Sequence, residues 1–340
     1  MAAVAYHPHP AHTPTPPPLM HHQDVDMHDS RPPSPASSTS TVTSSRTPDF
    51  FRYLHDRELN CMNTTYMLPA DEQEMKRMEL EHRMMKFILG GKNYVGPIAE
   101  ALTQERGVQR RVLDCGTGNG VWAMEMADEF GWVEVTGVDL APVQPRTVPP
   151  NCVFELFDLD GQRLPYPDNW FDVIHARSVY TGVRHYSTFL RELARVLRPG
   201  GVVILAEVDS TPFTDKKHRI PPGVRGGAPG WTDFWEQVRQ AWGQLGIDVA
   251  IPSRLRSIVR ETRDFESIVA QEALVPIGFW PKDPVILSIG QLAWMNYDSM
   301  LLGLRPLLLE HGISSEKVAT LIEDAQSDLY DPKVSASSLD

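Results

Sequence analysis

In the run RRVLDCGTGNGVWAMEMADEF, residues 110–130, an acid at Asp114 precedes three glycines at alternate positions, Gly116, Gly118 and Gly120. A short apolar run leads in and a helix-forming segment leads out, so the glycines fall on a strand-to-helix turn. Such a turn lets backbone approach a ligand without Cβ clashes, and the N–H groups that open the helix near Asn119 can receive an anion. Two ligand classes use it. The dinucleotide fingerprint is G-x-G-x-x-G, with a pyrophosphate at the helix start. Here the third glycine comes one residue sooner, and a carboxylate at Asp114 would repel a pyrophosphate. S-adenosylmethionine carries an ammonium and a sulfonium but no phosphate, so an acid beside the loop favours it. The glycine turn together with its acid therefore points to S-adenosylmethionine, with Thr117 inside the loop.

Further acids follow at strand ends. GVDL places Asp139, then Leu140, 19 residues beyond Gly120, where a carboxylate can accept both ribose hydroxyls. A turn acid at a strand end would read the same way. FELFDLD places Asp158 and Leu159 after a third strand, where an acid can take the adenine amino group, with Asp160 as the rival. Beyond the fourth and fifth strands come His175, Arg177, Tyr180, His185, Glu207 and Asp209, the region where an acceptor would sit. Each has a packing role to weigh against a chemical one. His175 could lie in the sheet, Arg177 in an ion pair, and Glu207 on a strand end. No Asp/Asn-Pro-Pro-Tyr motif of amino-methylating enzymes is present, and the catalytic residue is not legible. Methyl transfer from a sulfonium needs a base only when the acceptor must lose a proton.

The elements that carry these residues alternate. RRVLD, VEVTGVDL, CVFELFDL, FDVIHAR and GVVILAEVD read as strands, separated by helical segments such as VWAMEMADEF and STFLRELARVL. Continuous Val/Ile-rich runs are what strands buried on both faces look like, so the expectation is α/β: a parallel sheet with helices on both faces. Upstream, ADEQEMKRMELEHRMMKFILGG opens with Asp71-x-x-Glu74, spaces Met75, Met78, His82, Met85 and Leu89 by threes and fours, and stops at Gly90-Gly91. This is an amphipathic helix whose Met face and His82 read as core, although His82 could also face a pocket. A second helix is expected over about Val95 to Gln104. Downstream, a Pro/Gly-rich loop precedes a Trp-rich helix, WTDFWEQVRQAWGQLG; then come a weak strand near FESIVAQEALVPIG and two final helices. Trp231, Phe234, Trp235 and Trp242 suit a core at least as well as a flat apolar acceptor; Trp231, beside the loop, is the expected pocket residue.

The chain has 340 residues and a formal net charge of −12, with no basic stripe, which argues against general nucleic-acid binding. Cys61, Cys115 and Cys152 are too few and too scattered for a disulfide scaffold or a Cys-rich metal site, which fits a reducing compartment. No apolar run reaches the ~18 residues of a membrane span. A soluble cytoplasmic or nuclear protein is expected, without metal or membrane. Residues 1–48 hold ten of the 29 prolines, six of the twelve histidines and a Ser/Thr run, and so read as a disordered tail. Its histidines have no ligand spacing. Its Ser/Thr-Pro pairs (Thr13, Thr15, Ser34, Thr47) would suit regulatory protein partners. KKHR at 216–219 is too short to mark a nuclear address.

Five segments resemble the class I S-adenosylmethionine-dependent methyltransferases, specifically the fungal LaeA-like group of secondary-metabolism regulators. They are YMLPADEQEMKRMELEHRMMKFILGGKNYVGPI, VLDCGTGNGVWAMEMAD, GVDLAPVQPRTVPPNCVFELFD, LPYPDNWFDVIHAR and LRPGGVVILAEVD. The DLAPVQPRTVPPN stretch is particular to that group. The resemblance covers about residues 50–335. It implies a Rossmann-like seven-stranded sheet, a helical lid over the cofactor, and Tyr66 near the methionyl end. It carries Gly116 to Gly120, Asp139 and Asp158 over as cofactor positions, and Cys115 departs from the aliphatic residue of relatives. The expected division is a tail (1–48), an N-terminal helical cap (49–109), a cofactor-binding core (110–210) and an acceptor-pocket and C-terminal helical part (211–335). The acceptor would be a small molecule or a protein.

Overall fold

The computed structural model describes residues 2–6, 47–209 and 228–331. Its strands are β1 (Ala2–Tyr6), β2 (Phe51–Leu54), β3 (Arg57–Asn60), β4 (Arg110–Cys115), β5 (Val133–Asp139), β6 (Cys152–Leu156), β7 (Phe171–Arg177), β8 (Leu197–Ala206) and β9 (Glu266–Gln271). Its helices are α1 (Glu72–Ile88), α2 (Ile98–Ala101), α3 (Val121–Glu129), α4 (Tyr186–Val196) and α5 (Pro229–Gln244), then α6 (Ile251–Thr262), α7 (Pro284–Gly303), α8 (Arg305–Glu310) and α9 (Ser315–Tyr330).

Seven strands form one sheet in the order β6-β5-β4-β7-β8-β1-β9. The five from β4 to β8 run parallel, as the continuous apolar runs require. Alternate residues of each strand feed opposite faces. Val112, Val135, Val173 and Val202 pack with Trp122 and Met126 of α3, whereas Leu113, Val138, Ile174 and Val203 pack toward α4 and the C-terminal helices. Val112 and Leu113 are both wholly buried. Burying one such side chain contributes about 1.5–3 kcal/mol, so both faces need a covering layer.

Three elements correct the sequence expectation. Ala2–Tyr6 is not tail but β1, antiparallel to both β8 and β9. AAVAY is apolar and free of proline, and it fills the gap between two strands that would otherwise present open edges. Composition averaged over 48 residues conceals a strand of five. Residues 7–46, with the histidines and the Ser/Thr run, lie outside the described residues, as does KKHR. The N-terminal cap is not purely helical either, because it opens on the β2–β3 hairpin. His55 and Asp56 at its tip have φ of 49° and 63°, the pair of positive values a two-residue primed turn needs, but without the glycine that marks such turns. The C-terminal part contains α6 and three further helices where two were expected.

α1 starts where expected. The Asp71 side chain caps it by accepting from the Glu74 N–H at 3.1 Å, and Arg57 of β3 binds the same carboxylate. The helix packs along α7, so the N-terminal cap and the C-terminal helices close over the same end of the sheet.

Candidate functional site

The strand order reverses at β4, which has β5 on one side and β7 on the other. Beyond the carboxyl ends of strands at such a point, open α/β sheets form a crevice. Here a cleft of about 1610 Å³, partly open to solvent, is walled by the loops after β4, β5, β6 and β7 and closed by α1 and α7.

Register brings the first two candidates together, because Asp114 lies opposite His175 across the β4–β7 ladder. His175 Nδ1 is 2.7 Å from Asp114 Oδ1, and the Thr117 hydroxyl donates to Oδ2 at 2.7 Å. The imidazole stacks on Trp122 with centroids 3.8 Å apart. Burial pushes the His175 pKa below its ordinary value, outweighing the hydrogen bond to Asp114. The ring is therefore neutral, its Nδ1–H donates to Asp114, and Nε2 keeps its lone pair.

Gly118 faces the cleft with φ of 56°, a conformation that favours glycine. Its N–H donates to Asp139 Oδ2 at 2.7 Å. Asp139 is half-buried on the wall, and burial pushes its pKa up to about 6 while the N–H groups of Gly118, Ala141 and Leu140 pull it back. Gly116, Thr117, Leu140, Asp158 and Leu159 also line the cleft. The structure places the two rival acids differently. Asp158 faces the cleft, whereas Asp160 is buried against Arg184, accepting from its N–H at 2.9 Å and its Nε at 2.6 Å. Tyr66 lines the cleft on a loop held by Asn60, whose Nδ2 donates to the Tyr66 carbonyl, and by Asn63, whose Oδ1 accepts the Tyr66 N–H.

Four expected site residues stand elsewhere. Gly120 has φ of 79° at the N-cap of α3, and a Cβ there would lie 2.4 Å from Phe154 Cζ. The missing Cβ there lets the helix pack on the sheet. Gly120→Ala is expected to cost about 2–4 kcal/mol, from the left-handed backbone and the clash together. Urea unfolding checks this; a midpoint equal to the parent's would contradict it. His185 precedes α4, away from the cleft lining. Trp231 is buried in the core against Trp235 and Tyr297, and it is Trp235 and Trp242 that reach the cleft. Glu207 is buried behind the wall, where it accepts from the Tyr186 hydroxyl at 2.9 Å and from the N–H groups of Val179 and Tyr180. Burial raises its pKa to about 8. It holds the loop that follows β7. His82 is likewise buried outside the lining, 3.1 Å from Glu125. Arg177 does line the cleft, and among the described residues no carboxylate lies within ion-pair distance of it.

One cluster in the wall has no signal in the sequence. Arg77 is buried and donates to Glu74 at 2.7 Å, to Glu81 at 2.7 Å and to Asn296 of α7 at 2.8 Å. Ser178, with φ of 56°, donates to the other Glu81 oxygen at 2.8 Å. Charged residues three and four apart on a helix ordinarily face water. These are buried because α7, more than two hundred residues later, lies over them.

A parallel switch-point sheet with acids at the ends of its first and second parallel strands and a glycine turn between them defines the class I methyltransferase architecture. Residues 53–249 match the methyltransferase domain family, and the chain belongs to that family as an S-adenosylmethionine-dependent methyltransferase. Among curated proteins it is similar to the secondary metabolism regulator laeA of Coprinopsis cinerea, 33% identical over 80% of this chain and 67% of that one. It is also similar to the secondary metabolism regulator LAE1 of Cochliobolus heterostrophus, 30% identical over 68% and 71% of the two chains. A third relative is the protein-methionine methyltransferase laeA of Emericella nidulans, 27% identical over 81% and 70%. Among the described residues no helix is long and apolar enough to cross a membrane, and no group of three His, Cys, Asp or Glu could hold a metal ion.

Proposed function

We propose that the cleft binds S-adenosylmethionine along the glycine loop and delivers its methyl group to an acceptor at the α7 end, in a LaeA-like role controlling secondary metabolism. The observation that carries this reading is the pairing of Gly118 with Asp139: a turn without a Cβ beside a carboxylate poised on the cleft wall. The donor set fits the cofactor. Asp139 would accept the ribose hydroxyls, Asp158 the adenine amino group, and the carboxylate of Asp114 offers negative charge beside the ammonium. Tyr66 and Leu140 would bracket the ends, and Arg184 withdraws Asp160 from competition.

When bound, S-adenosylmethionine supplies a methyl group on a sulfonium, a leaving group that departs neutral. The chain's own task is positioning and the exclusion of water, which supply about 7–11 kcal/mol in well-oriented reactions. His175, held by Asp114 and neutral, would take a proton only from a hydroxyl acceptor that reached its Nε2. An acceptor without a proton to lose would not need it, so His175→Asn should slow the first kind of acceptor and spare the second.

Calorimetric titration with S-adenosylmethionine tests the reading, and a parent protein that gives no binding would overturn it. The same titration carries a pH prediction. Ribose hydroxyls donate best to an ionised Asp139, whose pKa lies at about 6 before binding. Binding should therefore release a fraction of a proton near that pH, and affinity should fall as pH drops from about 7 to about 5. Titrations in two buffers of different ionisation enthalpy measure the proton directly; identical heats in both would contradict the prediction.

A further inference from the structure

The cleft runs from the glycine loop to α7. Its two ends differ in chemistry. The end nearest the glycine loop offers carboxylates, Asp114, Asp139 and Asp158. The other end is aromatic. Tyr180 and Trp242 meet edge to face with centroids 6.0 Å apart, and Trp235 and Tyr297 do the same at 6.0 Å. All four line the cleft and all four are more than nine-tenths buried. Trp235 and Trp242 also touch, with centroids 6.3 Å apart, so the four rings form one aromatic wall on which a flat molecule can stack.

The polar groups of this end are donors in search of acceptors. The acceptors of the wall are already engaged: both Glu81 oxygens by Ser178 and Arg77, and Asn296 Oδ1 by Arg77. Among the described residues, the Tyr180 and Tyr297 hydroxyls and the Arg177 guanidinium make no hydrogen bond. Two buried donors, Trp235 Nε1 and Thr181 Oγ1, have no partner either. Buried donors without partners cost free energy, and a ligand bearing oxygens would satisfy them.

We propose that this end is the acceptor chamber and that it takes a planar aromatic acid, its ring against the wall of Tyr180, Trp235, Trp242 and Tyr297 and its anionic oxygen on Arg177. The assignment rests on the cleft being the methyl-transfer site, and its test separates the two. Calorimetry would compare 2-naphthoate with the neutral 2-naphthamide, on the protein alone and with saturating S-adenosylhomocysteine. The variants are Arg177→Met, the double change Tyr180→Phe/Tyr297→Phe, and Trp132→Phe as a control outside the cleft. A charge-assisted contact gives a preference of about tenfold or more for naphthoate. Arg177→Met should erase that preference, the double variant should weaken both probes several-fold, and neither should move S-adenosylhomocysteine more than about twofold. Equal affinities for the two probes, or no binding of either to a folded protein that still takes S-adenosylhomocysteine, would overturn the chamber. So would an Arg177→Met protein that loses S-adenosylhomocysteine instead, because Arg177 would then serve the cofactor's own carboxylate. Naphthoate binding with no S-adenosylhomocysteine binding would leave the chamber standing and sink the methyl-transfer reading.

Discussion

An Arg77→Ala protein is expected to be about 3–5 kcal/mol less stable than its parent, because removing one partner of a buried ion pair leaves the remaining charge without compensation. Glu74 is 1% exposed and Glu81 8%, so two carboxylates would be stranded between α1 and α7. The pH dependence should reverse as well. In the parent, burial raises the Glu81 pKa, but Arg77 and Arg177 outweigh it and hold the carboxyl below its ordinary value. A group of that kind adds stability above the ordinary carboxylate range and loses it as pH falls through the lowered value. Without Arg77 the burial cost dominates and the carboxyl rises above its ordinary value. Stability should then recover as pH drops through that raised value, since protonation relieves the unpaired charge. Urea midpoints of both proteins at about pH 5 and about pH 8 decide the matter. A deficit that stays constant or grows at the lower pH would show that Arg77 acts by packing alone. Replacing Glu74, Arg77 and Glu81 together by apolar residues of similar size should restore much of the stability, because no charge is then left buried alone.

Asp139→Ala should weaken S-adenosylmethionine binding by about 10²-fold or more, the loss of two hydrogen bonds to a charged acceptor at ~1.5–3 kcal/mol each. The same carboxylate also fixes the loop, accepting from the Gly118 N–H at 2.7 Å and the Ala141 N–H at 3.2 Å. Asp139→Asn separates the two roles. It keeps an acceptor oxygen of similar shape for the loop but no ionised carboxylate for the ribose. Affinity lost in both variants, with thermal midpoints within a few degrees of the parent, assigns the effect to the ligand. A change of less than about fivefold in either would remove Asp139 from the site.

Much of this site could be read from residues alone, for a definite reason. Asp114, Gly118, Asp139 and Asp158 sit where strands end, and strand ends are marked by local patterns of apolar runs and turns. The parallel register then delivers them to one crevice. What could not be read depends on contacts between distant segments. Trp235 and Trp242 belong to the same helical stripe as Trp231, and only the packing of α5 on α9 and on the Tyr297 ring of α7 decides which rings meet the cleft. Arg77 and Glu81 look like a solvated pair until Asn296 is laid against them. Gly120 carries the spacing of a ligand glycine, and its φ of 79° and the Phe154 ring add a packing demand that the spacing does not show. β1 was hidden because its partners are strands far downstream.

That placement of β1 bears on how the chain reaches its fold. Ala2 pairs with Ala206 and with Gln271, so β1, which precedes every other described strand, closes loops of about two hundred residues or more. At ~5–20 residues per second on the ribosome, β1 waits many seconds for β8 and longer for β9. The β4–β8 sheet can assemble before then, with the edge of β8 still open. Among the described strands β9 pairs only with β1, so it joins the sheet once β1 has docked. Sheet completion is thus a late, high-contact-order step, and the open edge of β8 is the surface a chaperone would need to guard in the interval.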